Sequence, residues 1–195
     1  MNLRLLKPFV CALCILASAQ GSSTAQSQTV TNWISIFNGN KIDGWKQENA
    51  GTFVATNGVL HVSGGKGWLR TERTFTNFIF EAEWRGLETN FNSGFFIRAE
   101  PDGTPWPTNV WQINLKQSAV GELLRGSTKI VPATTPAASL NEWVKFRIEA
   151  RDKTLTLDVN GGRAWEFQDF QPTFGHIGIQ AEGKTFEFRN LRILE

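Results

Sequence analysis

The sequence predicts an all-β fold, a sandwich or a barrel. Three observations predict it. Short runs with period-two alternation recur from Trp33 to the end of the chain. Turn signals such as Asn57-Gly58 and Asn160-Gly161-Gly162 separate them. No long amphipathic helical pattern interrupts them. Composition agrees: the 195 residues include eight Trp and 15 Phe but no Tyr, and such rings favour strands and bury large areas.

The N-terminus reads differently. Arg4 and Lys7 precede a short apolar run from Phe9 to Ala19, with small residues at Ala17, Ala19 and Ala25. That pattern predicts a secretory signal over residues 1–25 and an exposed polar leader over 26–32. The run falls well short of the roughly 20 apolar residues a membrane span needs. The expected location is therefore periplasmic or extracellular, with no membrane insertion of the mature chain.

The strands follow in order. Gly51–Val54 and Gly58–Val62 suggest a hairpin across Thr56-Asn57-Gly58. In Thr76–Arg85, Phe78, Phe80, Ala82 and Trp84 share one face, opposite Ile79, Glu81, Glu83 and Arg85. After Gly94, Phe96, Arg98 and Glu100 alternate with Phe95, Ile97 and Ala99. Val110–Lys116 puts Gln112, Asn114 and Lys116 opposite Trp111, Ile113 and Leu115. Trp143–Ala150 alternates again, Asp152-Lys153 turns the chain into Thr154–Asn160, and Asn160-Gly161-Gly162 signals the next hairpin. Gly175–Ala181 and Thr185–Leu194 close the set. Two proline-bearing segments, Glu100–Asn109 and Val131–Asn141, read as long loops, where function often resides.

Charge and cysteine content exclude several classes. Cys11 and Cys14 both fall in the predicted signal, so the mature chain is expected to hold no disulfide and no reactive thiol. Losing Arg4 and Lys7 from the 20 basic residues leaves 18 against 18 acidic ones. A neutral domain lacks the basic footprint of a nucleic-acid binder and any electrostatic anchor for acidic membranes. There is no phosphate loop and no nucleophile elbow. With His61 and His176 the only histidines, no metal site and no cofactor are expected.

What remains is a set of strands with one greasy face and one face of amides and charges. Arg, Gln, Asn and Glu make planar, paired hydrogen bonds to hydroxyls. A bent sheet presenting Glu81, Glu83, Arg85, Arg98, Gln112, Asn114, Lys116, Gln180 and Glu182 on a concave face would form a sugar cleft, with Arg98 pointing into it.

Several short motifs, in order, resemble one family: Ile36-Phe37-Asn38-Gly39, Gly44-Trp45, Asn92-Ser93-Gly94-Phe95-Phe96-Ile97-Arg98, Val120-Gly121-Glu122-Leu123, Asn141-Glu142-Trp143, Val159-Asn160-Gly161, Gly175–Gly183, and Phe188–Arg192. Together they resemble the 3-keto-disaccharide hydrolase domain from about Trp33 to Glu195. The resemblance implies a two-sheet jelly-roll sandwich of concanavalin A-like lectin/glucanase type, one domain over 33–195, and a carbohydrate substrate. Where many members carry Glu-x-Gln on the middle strand, this chain carries Gln112-Ile113-Asn114. Near the end, Ala181-Glu182-Gly183 stands where many have Asp-His-Gly.

Two chemistries follow from the resemblance. Glu83 and Glu182 could flank a scissile bond as paired carboxyls. Alternatively, a 3-keto sugar allows elimination, with Glu182 or Glu83 as base and Arg98 or Lys116 at the enolate oxygen. Gln112, Asn114, Gln180 and Asn92 would hold the sugar, with Trp106 as a stacking wall. The rival reading is a lectin-like module with no turnover.

Overall fold

Alternation of this kind builds strands. The computed structural model describes residues 32–195 and shows fifteen strands and no helix among them. The predicted signal, both cysteines and all of the predicted leader except Asn32 lie outside the described residues. Numbered β1 to β15 in chain order, the strands form two antiparallel sheets.

The first sheet holds β1 (Ile34–Ser35), β3 (Thr52–Thr56), β4 (Val59–Ser63), β6 (Phe78–Gly86), β11 (Val144–Arg151), β12 (Thr154–Val159), β13 (Gly162–Phe167) and β15 (Phe186–Leu194). Its order is β13-β12-β11-β6-β15-β4-β3, with β1 also on β15. The second sheet holds β2 (Trp45–Asn49), β5 (Lys66–Thr71), β7 (Gly94–Ala99), β8 (Trp111–Lys116), β9 (Ala119–Arg125), β10 (Thr128–Val131) and β14 (His176–Glu182). Its order is β10-β9-β8-β7-β14-β5-β2. The two predicted hairpins are present, β3–β4 and β12–β13. Asn57, Gly58, Asn160 and Gly161 all take positive φ, as a tight hairpin turn requires at both central residues.

The core lies between the sheets. Phe78, Phe80, Ala82 and Trp84 of β6 are buried there with Val144, Phe146, Ile148 and Ala150 of β11. Phe80 meets Phe95 of the second sheet edge-on at 5.4 Å, and Phe95 meets Phe188 at 5.6 Å. Each such buried ring contributes about 1.5–3 kcal/mol.

Strand β7 departs from simple alternation. Phe96 pairs with Gly178 of β14, but the next partner pair is Ala99 with His176, so β7 carries one residue more than its neighbour over this stretch. Arg98 sits in this bulge with φ of 49°. The bulge turns its side chain off the outer face, and it is 1% exposed. The guanidinium donates to Thr76 O at 2.9 Å, Asp152 O at 2.7 Å and Pro172 O at 3.1 Å, and it lies 4.9 Å from the Phe170 ring. The expectation that Arg98 points into a sugar cleft is therefore corrected. Burial demands partners for its donors, and three backbone carbonyls supply them. Arg98 ties the lead into β6, the β11–β12 turn and the loop before β14 to one point.

Arg98→Met should destabilise the domain by about 3 kcal/mol, because it strips three carbonyls of their donor. Urea unfolding measures this. A loss below about 1 kcal/mol would contradict the clip.

Candidate functional site

The central strands of the second sheet bury one face against the core and present the other outward. Leu69, Phe95, Ile113, Leu115, Ile177 and Ile179 point inward. Trp68, Phe96, Gln112, Asn114 and Gln180 belong to the opposite face, yet all are buried. Buried amides on a sheet surface need hydrogen bonds, and here they make them to one another. Gln112 Nε2 donates to Gln180 Oε1 at 3.0 Å and to Ser93 O at 3.3 Å. Ser93 Oγ donates to Gln180 O at 2.7 Å. Gly94 makes room, since a Cβ there would stand 2.3 Å from Gln112 Nε2.

Glu122 joins this face, and sequence reasoning did not select it. Strict alternation along β9 would place it on the same side as Val120, which is in the core. The register slips between Ile113 and Leu115, so β9 has an extra residue opposite Asn114. Gly121 adopts φ of 77° there, and the bulge swings Glu122 outward. Asn114 Nδ2 then donates to Glu122 Oε2 at 3.1 Å, and Lys129 Nζ stands 2.7 Å from Glu122 Oε1. The legible signal was the glycine inside a strand pattern. Asn114 is 4% exposed, and its Oδ1 is a buried acceptor with no partner among the described residues.

An aromatic platform flanks the amides. Trp68 and Phe96 meet edge-on at 5.6 Å and cluster with Ala99 and Val110. Trp106, from the first proline-bearing loop, packs on this cluster while staying partly exposed. Asn49 Nδ2 donates to Pro105 O at 2.9 Å and ties that loop to the end of β2.

Glu182 ends β14 on the same face, half-buried. Asn92 Nδ2 donates to its Oε2 at 2.5 Å. Burial pushes the Glu182 carboxyl above its ordinary value, against the pull of Lys66, the Asn92 hydrogen bond and Lys116. Both lysines are exposed at strand ends. The structure thus brings Asn92, Trp106, Gln112, Asn114, Lys116, Gln180 and Glu182 to one side of one sheet.

Glu83 is not among them. It lies on the outer face of the first sheet, with the whole core between it and Glu182. Sheets pack about 10 Å apart, and these two side chains point away from each other, beyond the reach of a carboxyl pair across one bond. Arg189 Nε donates to Glu83 at 2.7 Å and Asn190 Nδ2 at 2.8 Å. Burial pushes the Glu83 carboxyl up, but those hydrogen bonds and the charges of Arg189 and Lys145 outweigh it and hold it below its ordinary value. A recess of about 430 Å³ opens on that face, between Trp33, Glu81, Glu83, Lys145 and Arg192. Its carboxylates are ion-paired, Glu81 with Arg192 at 2.5 Å and Lys145 at 3.2 Å.

Residues 32–194 match the family described as the 3-keto-alpha-glucoside-1,2-lyase-like domain. No curated protein matches the sequence. The fold is similar to that of a "putative glycosyl hydrolase" from Parabacteroides distasonis ATCC 8503, at 19% identity and a TM-score of 0.68, over 83% of this chain and 93% of that one. It is also similar to the carbohydrate-binding module CBM66 from Bacillus subtilis, at 17% identity and 0.67, over 78% and 96%. A third likeness is the Bacillus licheniformis beta-glucanase, at 15% identity and 0.57, over 86% and 99%. At these identities the likeness establishes the fold, a concanavalin-like jelly-roll sandwich.

A carboxyl raised in the folded state binds protons more tightly there than when unfolded. Its charge therefore costs stability as pH rises through the folded value, and it costs nothing below the unfolded value. Glu182→Gln should be more stable than the parent at neutral pH, with the gap closing below about pH 4. Thermal melts across pH read this directly, and an unchanging gap would contradict the burial assigned to Glu182.

Proposed function

Because the chain belongs to the 3-keto-alpha-glucoside-1,2-lyase-like domain family, we propose that it is an exported carbohydrate-active protein that opens the glycosidic bond of 3-keto-glycosides or disaccharides. The reaction is elimination across C1 and C2. The ketone at C3 acidifies the C2 proton. Glu182 removes that proton, and the electron pair forms an enolate with the C3 oxygen. The enolate collapses to a C1–C2 double bond as the C1–oxygen bond breaks. The departing oxygen takes a proton back from Glu182, and water adding across the double bond completes hydrolysis.

One observation carries this reading. Glu182 is a half-buried carboxyl with a raised proton affinity, on the same face as a row of buried amides. A base of raised affinity is the more effective one while it stays ionised. Lys116 supplies positive charge for the enolate oxygen in place of Arg98, whose donors are all committed. Gln112 and Asn114 hold hydroxyls, and the exposed part of Trp106 stacks on a sugar ring.

A second reading, a carbohydrate-binding module without turnover, has its own support. The middle strand carries the amides Gln112 and Asn114, and the nearby Glu122 is ion-paired with Lys129. Glu48, on the same face beside Trp68, is ion-paired as well, with Arg70.

Assays on both anomers of p-nitrophenyl 3-keto-glucoside separate the two. Elimination predicts aglycone release by the wild type and a loss of about 10²–10⁴-fold in kcat for Glu182→Gln, with KM little changed. Binding without release would establish the module. Equal turnover by Glu182→Gln would remove Glu182 as base.

A further inference from the structure

We propose that Lys66 is a catalytic residue on the leaving-group side of Glu182, where its ammonium holds the glycosidic oxygen as the C1–oxygen bond breaks. The inference rests on the elimination reading and adds the group that receives the departing oxygen.

Register places four side chains in one row across the second sheet. Lys66, at the start of β5, is the direct partner of Glu182 on β14. Asn92, just before β7, donates to Glu182 from the other side at 2.5 Å. Gly94 pairs with Asn114, so the same register carried two residues on sets Asn92 beside Lys116. Residues directly opposite each other on antiparallel strands project from one face. The row on the outer face is therefore Lys66, Glu182, Asn92 and Lys116. Both lysines are exposed, and Glu182 and Asn92 are half-buried. A ligand reaches all four, unlike the buried amides Gln112, Asn114 and Gln180.

The two lysines are uncommitted. On the same sheet Lys46 and Lys129 are ion-paired with Glu48 and Glu122, whereas neither Lys66 nor Lys116 has such a partner among the described residues. Burial raises the Glu182 carboxyl, and the strongest pull against it is that of Lys66, ahead of Asn92 and Lys116. Both ammonium groups thus act on Glu182 across a gap wider than an ion pair, and a substrate atom fits in such a gap. The backbone that carries Lys66 is fixed. A Cβ on Gly65 would stand 2.6 Å from Gly51 N, and one on Gly67 would stand 2.1 Å from Ala50 O. The start of β5 is seated against the β2–β3 turn.

The direction of the sugar follows from the roles. In the ring, C2 lies between C1 and C3. With the C3 oxygen at Lys116 and C2 at Glu182, C1 faces β5 and its oxygen meets Lys66. A recess of about 300 Å³, lined by Lys116, Gln117, Ser118, Asn90 and Ala137, opens beside Lys116 and gives room to the C4–C6 end of the keto-sugar. The step balances. Glu182 takes the C2 proton, the enolate pair becomes the C1–C2 double bond, and the C1–oxygen pair leaves with the oxygen. Lys66 donates a hydrogen bond to that oxygen and keeps its own proton, while Glu182 supplies the proton that neutralises it. A flexible stem with three rotatable donors follows the oxygen as it departs. Such a bond strengthens as charge develops, which is what lowers a barrier.

The test separates the two steps in wild type, Lys66→Met and Lys116→Met, with methyl and p-nitrophenyl 3-keto-glucosides in both anomers. Deuterium uptake at C2 in heavy water, read by NMR, reports proton removal. Release of methanol or p-nitrophenol reports bond breaking. In Lys66→Met, uptake should stay within about twofold of wild type while methanol release falls about tenfold or more. Release of p-nitrophenol, a good leaving group, should fall less than about threefold. Lys116→Met should slow uptake and release together for both glycosides. Equal losses of methanol and p-nitrophenol in Lys66→Met, or uptake lost as far as release, overturn the proposal while the elimination reading stands. A Lys66→Met protein indistinguishable from wild type does the same. A wild type that releases no aglycone overturns both.

Discussion

A polar group taken out of water must find a partner, and that single requirement sorts the charged and amide side chains of this sandwich. Arg98, Glu81 and Glu83 are met in full by carbonyls, guanidinium groups and amides of the protein itself. They serve the fold. On the outer face of the second sheet the bookkeeping does not close: Asn114 keeps an acceptor with nothing to accept from. Trp84 Nε1 in the core and Thr156 Oγ1 on β12 are likewise without a partner among the described residues, so an unmatched atom alone does not mark a recognition site.

The two outer faces show how one residue type acquires opposite properties. Glu81 and Glu83 stand beside cations, and although burial pushes them up, those partners hold both below the ordinary carboxylate value. Glu182 is raised, because burial outweighs two lysines and one amide. A carboxylate fastened between guanidinium groups is a strut and a poor base. A carboxyl with an amide as its one direct partner and lysines acting from a distance retains basicity. The aromatic composition serves both ends: most rings fill the core between the sheets, while Trp68 and Phe96 form a separate platform that positions Trp106.

Most of the fold was legible in the sequence, since alternation on β6, β8 and β11 and the turns at Asn57-Gly58 and Asn160-Gly161 dictate strand faces and hairpins directly. The site was legible only where alternation continued unbroken, which covers Gln112, Asn114, Lys116, Gln180 and Glu182. It failed at bulges. One extra residue inverts every side chain beyond it, so Arg98 left the face and Glu122 joined it. Glu83 was misplaced for another reason: alternation tells which side of its own sheet a residue takes, but not which sheet it belongs to. Gly121 inside a strand pattern was the one local sign of a bulge. Nothing comparable precedes Arg98, whose left-handed backbone is stabilised by contacts from three distant segments.

The central claim is that carbohydrate binds over the amide row of the second sheet. Trp106 stands beside that row, whereas Trp33 and Trp143 belong to the opposite side of the molecule, each against the guanidinium of an arginine there. Titrating methyl 3-keto-glucoside into ¹⁵N-labelled protein reports on both sides at once through indole and side-chain amide signals. The account predicts shifts at Trp106, Gln112, Asn114 and Gln180, with Trp33 and Trp143 unmoved. Shifts confined to Trp33 and Trp143 would contradict it.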